Sequence, residues 1–504
     1  MLICLFNVIC SYSQKVNKIK LEHANSLEGN PKLGKDVKLL KGAVHFSQDN
    51  MQMYCDSALL YPNNSLDAFG NVHIHQGDTL QMYGDILKYN GNTRKAELQK
   101  NIRLSDKDMT LTTNSLFYDL KTNVASYSGG GKIISKETNL SSEYGYYHSV
   151  SKDFSFKKNV VLTQPQYVMN CDTLLYNTHS KIAYFLGPTT IKSSKNLVYC
   201  ENGWYDTHKD ISRFSRNAYI LTPQQKLQGD SLFYDRKKGY GKAIRHVRII
   251  DTTQNIIITG NQAEYFENED VSVITGRALL NQISDKDTLF LHADTLKTSL
   301  EISHASEILN QEQKDTVQHR ILFAYHHVKF FKHDLQGKCD SLSYSYRDSI
   351  MKLYKEPVLW SDKNQLTAEK IELKTGKGQL QTMGLINTAF IISEEDTLRY
   401  NQIKGKNMYG FFKDNKLHKI RVEGNGQTIY YAKDKEKLVG VNKADCSDIL
   451  IYIKEKELNK IVFINKPDAT LFPISELSPS ELLLKDFIWK GKERPLTVND
   501  IFVH

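Results

Sequence analysis

Along most of this chain apolar and polar residues alternate with period two, and the alternation restarts at fixed intervals. The segments CDSALLY (55–61), GDILKYN (84–90), TNSLFYD (113–119), SEYGYYH (142–148), CDTLLYN (171–177), CENGWYD (200–206) and GDSLFYD (229–235) follow one another in register. Their second residues are Asp56, Asp85, Asn114, Glu143, Asp172, Glu201 and Asp230, and each step between them is 29 residues. Later copies drift: GNQAEYF (260–266), HADTLKT (292–298), KCDSLSY (338–344) and TAEKIEL (367–373). A fixed period of this size marks a stacked array of one small unit.

Each period holds two strand-like halves. The first reads AFGNVHI (68–74), LQKNIRL (98–104), FKKNVVL (156–162), FLGPTTI (185–191) or FSRNAYI (214–220): an apolar residue, a turn-prone Gly or Asn, then alternating apolar residues. The second is the acidic-x-Leu-x-Tyr unit. In it Leu87 and Tyr89, Leu116 and Tyr118, Leu174 and Tyr176, and Leu232 and Tyr234 share a face, while Lys88, Phe117, Leu175 and Phe233 between them vary freely. The constant face is expected to point inward. Up to about residue 470 no helical periodicity is sustained, so the expectation is all-β: an elongated repeat array of antiparallel strands. Each unit buries its apolar face only by stacking on its neighbours, and the open ends of such a stack need a cap or a partner.

The spacing also organises the chain. Repeats are expected over 14–300. A loop or junction is expected over 301–322, where the step from Asp294 to Asp340 grows to 46 residues around the polar run NQEQKDTVQHR (310–320). A second β block follows at 323–470, and a capping tail at 471–504, whose SELSPSELLLK (475–485) carries helix-start signals. At the other end, Leu2–Ile9 is a short apolar run, and Ser11 and Ser13 have the spacing of a cleavage site. Residues 1–13 therefore read as an export signal lacking a basic start. Ile9 is a poor residue to precede a lipid-modified Cys10.

Composition narrows the function classes. With 40% hydrophobic residues, 28 Tyr and 21 Phe, this is a folding sequence rich in strand formers. The net charge of +9 is spread along the chain (66 basic, 57 acidic), with no polybasic tail and no nucleic-acid-binding motif. The acidic ladder could stack calcium, but no Gly-rich calcium loops accompany it, and turn residues bonding to nearby backbone are the simpler reading. His73 with His75, and His326 with His327, lack a third ligand at metal-site spacing. Gly129-Gly130-Gly131 reads as a bulge or turn. Cys171 and Cys200 occupy equivalent places on consecutive repeats: one rung apart they could form a disulfide, two rungs apart they could not. Neither a nucleophile elbow nor a phosphate loop is present, so no catalytic constellation emerges, and no cofactor is expected. What remains is a long apolar stripe, which suits a closed dry core and an open trough equally.

The repeated AxFxGNVxI strand followed by D-x-L-x-Y resembles the OstA-like proteins, the LptA family and the periplasmic N-terminal domain of LptD, from about Leu39 to Phe463. Residues 338–373 are similar to the longer OstA-like proteins of Bacteroidetes-type envelopes. The resemblance implies a folded-over β-jellyroll trough that carries lipopolysaccharide, or a lipid A-type glycolipid, across the periplasm to the outer membrane. It further implies lipopolysaccharide-transport components as partners at both membranes, with end-to-end self-association as one way to lengthen the bridge, and no chemistry performed. The lining it implies is Val72, Ile74, Leu87, Tyr89, Ile102, Leu104, Leu116, Tyr118, Val160, Leu162, Leu174, Tyr176, Leu232 and Tyr234. The competing expectation is a structural or adhesive cell-surface β-solenoid with a closed dry core. A polysaccharide-acting enzyme on a β-helix is weaker, for want of paired carboxylates.

Overall fold

The computed structural model describes residues 17–29, 34, 36–77, 80–105, 107, 109–148, 150–284, 287–304, 316–376, 379–414, 416–434, 437–454 and 457–503, the side chains of 301–318 and 457 aside. The expected export signal lies outside these residues. The chain forms two compact units, Met1–Ile220 and Leu221–His504. Both are built from antiparallel strands joined by tight hairpins, and no α-helix occurs among the described residues. The interval 301–322 falls within the second unit. There the strands Thr288–His304 and Thr316–Lys332 pair with each other, and 305–315 lies outside the described residues.

One 29-residue period is two strands. In the first unit Lys38–Gln48, Met51–Tyr61, Ser65–Gln76, Leu80–Asn90, Lys95–Ser105 and Thr110–Asp119 pair in sequence order, each antiparallel to the next. Equivalent residues of consecutive repeats are thus two strands apart, about 9–10 Å.

The long paired strands of the first unit shift register at their middle. On one strand two consecutive residues take positive φ: Gly70 (72°) and Asn71 (44°), Lys100 (61°) and Asn101 (49°), Lys158 (64°) and Asn159 (53°), Arg216 (58°) and Asn217 (55°). Opposite each pair stands the acidic residue of the preceding strand, and it binds the bend. Asn71 Nδ2 donates to Asp56 Oδ2 at 2.9 Å, Asn101 to Asp85 at 2.7 Å, Lys158 Nζ to Glu143 at 3.0 Å, and Asn217 to Glu201 at 2.7 Å. Two left-handed residues are strained unless something fixes them, and the carboxylate does so. Glycine at position 70 has a steric reason too: a Cβ there would lie 2.5 Å from Asp56 Oδ2. At Asp56, Asp85, Glu143, Glu201 and Asp230 the ladder is therefore a row of corner pins whose partner is a side chain of the next strand rather than the nearby backbone expected from sequence, whereas Asp172 accepts from the adjacent Thr173. His326 and His327 are one such left-handed pair, facing Asp340 (3.3 Å) and Asp294 (2.8 Å) on the two flanking strands.

The bends fold the sheet over on itself. In Ser65–Gln76 the buried positions are Leu66 and Ala68 before the bend and Val72 and Ile74 after it; in Leu80–Asn90 they are Met82 and Gly84, then Leu87 and Tyr89. Both arms of each strand thus face one interior, as two walls meeting at the row of pinned corners.

In the second unit the chain ends on the same interior side. Residues 473–503 contain only short 3-10 segments, Ile474–Glu476, Gly491–Glu493 and Val498–Phe502. The helix-start signal in 475–485 is real but stops after a turn. Ser478 and Glu481 bond as in a capping box (Ser478 N to Oε2 2.9 Å), yet Gln402 captures the Leu482 carbonyl and the Leu484 amide that a helix would need.

Candidate functional site

The interior of the first unit can be followed along cross-strand rows. Over residues 38–119 one wall carries Phe46, Met53, Ile74, Met82, Leu104 and Leu111, each paired with the next. The other carries Leu66, Tyr89, Ala96 and Tyr118 at its rim, and Ala58, Ala68, Leu87, Leu98 and Leu116 near the corner. None of these is more than 6% exposed, including those at the rim.

This stretch is shut by contacts across its open side. The Tyr89 hydroxyl, on one wall, donates to Gln48 Oε1, at the end of the other, at 2.5 Å. Gln48 Nε2 donates to the Gly91 carbonyl (3.2 Å) and the Asn17 carbonyl (2.5 Å), and the hairpin residues Arg94 and Asp49 form an ion pair at 2.5 Å. Burial pushes the Tyr89 phenol up to about 12, so at neutral pH it is a donor. At the border with the following strands a cavity lined by Leu104, Leu116, Tyr127 and Phe156, among others, measures about 20 Å³, room for about one water. The interior rows of 38–119 themselves are tightly packed.

Residues 153–206 use the same repeat differently. Near the corner Phe156, Val160, Leu174, Phe185 and Cys200 are 0–4% exposed, and Met169, farther out on the same wall, is 5% exposed. The same walls farther out hold Phe154, Leu162, Tyr176, Ile191, Val198 and Tyr205, and all are half-buried. They lie in the interior rows: Leu162 pairs with Met169, Met169 with Ile191, Ile191 with Val198, and Phe154 with Tyr176. The Tyr205 hydroxyl binds Asp210 in its own hairpin at 2.7 Å. The result is a groove with a packed floor and apolar, aromatic rims open to solvent.

The fourteen residues expected to line the interior all face it. Val72, Ile74, Leu87, Tyr89, Ile102, Leu104, Leu116 and Tyr118 are sealed in the closed stretch. Val160 and Leu174 form the groove floor, with Leu162 and Tyr176 at its rims. In the second unit Leu232 is buried and Tyr234 half-buried. Sequence reasoning missed the rim residues Phe154, Ile191, Val198 and Tyr205, and the strut residue Gln48. The rim residues carry the same period-two signal as the rest; Gln48 is marked only as a polar residue at an interior position.

Cys171 and Cys200 sit on strands separated by Ile182–Ser193, two rungs apart, and both thiols are free. Burial pushes each up to about 12, as it does Cys55 and Cys339. Among the described residues no group of three or more His, Cys, Asp or Glu is placed to hold a metal ion. On the outer face His45, Tyr54, His73 and Tyr83 stack across four strands, with ring centroids 4.4, 5.8 and 4.4 Å apart.

The fold and site define a class: an antiparallel array of bent strands folded over an apolar interior. Within that class, residues 16–172 match the family model described as OstA-like protein. Among solved structures it is similar to LptH from Pseudomonas aeruginosa, described as the LptA homologous periplasmic component of the conserved lipopolysaccharide transport device. That match has 10% identity and a TM-score of 0.16, and covers 28% of this chain and 82% of that one. At that score it carries no argument. No curated protein matches the chain.

Proposed function

We propose that this protein is a non-enzymatic carrier that holds the acyl chains of lipopolysaccharide, or of a lipid A-type glycolipid, and moves them across the periplasm towards the outer membrane. The observation that carries the reading is the half-open groove of residues 153–206, in a chain whose residues 16–172 match the OstA-like family model. An exposed apolar groove invites aggregation unless something apolar fills it. Acyl chains suit it, with sugars and phosphates left in water at the rims. Each methylene moved from water into the groove contributes about 0.8 kcal/mol, so micromolar binding takes about ten buried methylenes in total, and more once the cost of association is included. Components at the two membranes would deliver and receive the lipid, and self-association end to end would extend the path.

The test is mass spectrometry of lipids extracted from protein purified without detergent, followed by uptake of lipid A by wild type and Ile191→Asp. The reading expects bound glycolipid, and uptake weakened about tenfold or more in a variant that stays folded. Absence of lipid together with unchanged uptake would overturn it. One observation favours a structural or adhesive role for part of the molecule. The strands of 38–119 are packed inside and carry the His45–Tyr83 aromatic stack outside, next to a shallow hollow of about 390 Å³.

A further inference from the structure

The C-terminal segment lies along a single cross-strand row of the second unit. Gln336 pairs with Trp360, Trp360 with Gln365, Gln365 with Ile392, Ile392 with Gln402, and Gln402 with Ile429. Glutamine and a large apolar residue alternate, and all six are at most 3% exposed. A buried glutamine is costly unless its amide is satisfied. Here the tail satisfies it, largely with its own backbone. Gln402 donates to the Leu482 carbonyl (2.9 Å) and accepts from the Leu484 amide (2.8 Å). Gln365 donates to the Ile488 carbonyl (2.7 Å) and accepts from the Lys490 amide (2.6 Å). Gln336 accepts from Arg494 Nε at 2.8 Å.

Between these contacts the tail inserts apolar side chains. Ile474, Leu477, Leu482 and Leu484 pack on Ile429, Tyr431 and Val441. Phe487 lies against Phe390 and Tyr400, with ring centroids 6.4 and 5.3 Å away, and Phe502 against His292 at 4.6 Å. The tail is thus a strap that covers apolar surface without extending the sheet. Beneath it the indole Nε1 of Trp360 is buried with no hydrogen-bond partner, so the covered row is not a fully satisfied core.

We infer that the row under the strap is a latent acyl-chain site: a long-chain amphiphile displaces the strap, takes the place of its leucines, and the strap recloses when the chain leaves. This rests on the carrier reading and extends it to the second unit. The strap is held by side chains rather than by a strand ladder: by the glutamine amides, by Lys404 on the Asp486 carboxylate, by Lys443 on the Glu481 carbonyl, by Lys329 on the Val503 carbonyl, by the Lys338–Glu493 ion pair, and by Arg494 on the Asp362 carbonyl. Segments with few ordered backbone hydrogen bonds sit at the low-stability end of local opening. An incoming acyl chain recovers the apolar burial but not the amide bonds of Gln365 and Gln402, which water must then satisfy.

The test uses the full chain, with lauric acid as the probe and hydrogen exchange at the Leu484 and Lys490 amides as the readout. Saturating lauric acid is expected to speed exchange at both amides about tenfold or more, and Gln402→Leu to bind lauric acid about tenfold more tightly than wild type. Exchange that stays unchanged or slows while lauric acid is bound elsewhere overturns the inference and leaves a permanent cap. Should Gln402→Leu fail to fold, the wild-type exchange measurement decides alone. The outcome is separable from the carrier reading. A strap that opens for lauric acid in a protein that takes up no lipid A keeps the latent site and sinks the carrier; lipid A uptake with an immobile strap does the reverse.

Discussion

Residues 38–119 and 153–206 are built from one repeat, share one interior register and are pinned at the same corners, yet one is sealed and the other half-open. The difference lies at the rims. In the first, Tyr89 reaches across to Gln48, and Arg94 to Asp49. In the second, Tyr205 turns to Asp210 in its own hairpin, and the outer wall residues stay half-buried. Corner pins and floor leucines therefore make the fold, while a few cross-rim contacts decide whether the interior is core or groove.

The largest effect should separate the two stretches outright. Leu87→Asp places a carboxylate in a fully buried position and should cost about 4 kcal/mol or more. Ile191→Asp, at a half-buried rim, should cost about 1 kcal/mol. Urea unfolding of the two variants measures this, and equal losses would mean that the stretches do not differ. Next comes the corner they share. Gly70→Ala meets both a φ of 72° and the Asp56 carboxylate, and should destabilise by about 1–3 kcal/mol in the same assay.

Breaking the strut is a smaller change. Tyr89→Phe removes the donor to Gln48, should cost about 1 kcal/mol, and should loosen the closed rim. Alkali offers the same test without mutation. Burial holds the folded-state pKa of Tyr89 near 12, above the ordinary value of about 10. The folded state therefore keeps a proton that the unfolded chain gives up. That contribution is complete below about pH 10 and is lost as pH rises towards 12. Wild type should lose more stability than Tyr89→Phe over that window, and parallel curves would remove the strut from the account. Smallest is a test of the groove floor. With Cys200 fully buried and its thiol pushed up to about 12, it should resist alkylation at pH 8 in folded protein and react once urea unfolds it. Rapid labelling of folded protein would mean the floor is as open as the rims.

Much of this was legible in the sequence. The 29-residue period, the inward Leu and Tyr positions and the all-β class follow from period-two burial, which leaves a mark at every strand. The Gly70-Asn71 and Lys100-Asn101 bends were visible as turn-prone residues, although their pairing with the acidic ladder was not. That pairing joins residues 15 or 16 positions apart, on different strands. Whether the interior is open could not be read, because Phe154 and Ile191 show the same alternation as sealed positions. The deciding contact, Tyr89 to Gln48, spans 41 residues. A capping tail over 471–504 was expected, but not the row it covers: Gln365 and Gln402 look like surface residues until residues 482–490 lie against them.

As proposed, acyl chains occupy the half-open stretch and not the sealed one. Tyr118 and Tyr176 hold the same place in the repeat, one 5% exposed and the other half-buried at the groove rim. A photoreactive benzoylphenylalanine at each position, irradiated with lipid A and read by mass spectrometry of the intact protein, compares them directly. Lipid adducts are expected at position 176 and not at 118; adducts at neither, or equally at both, would contradict the account.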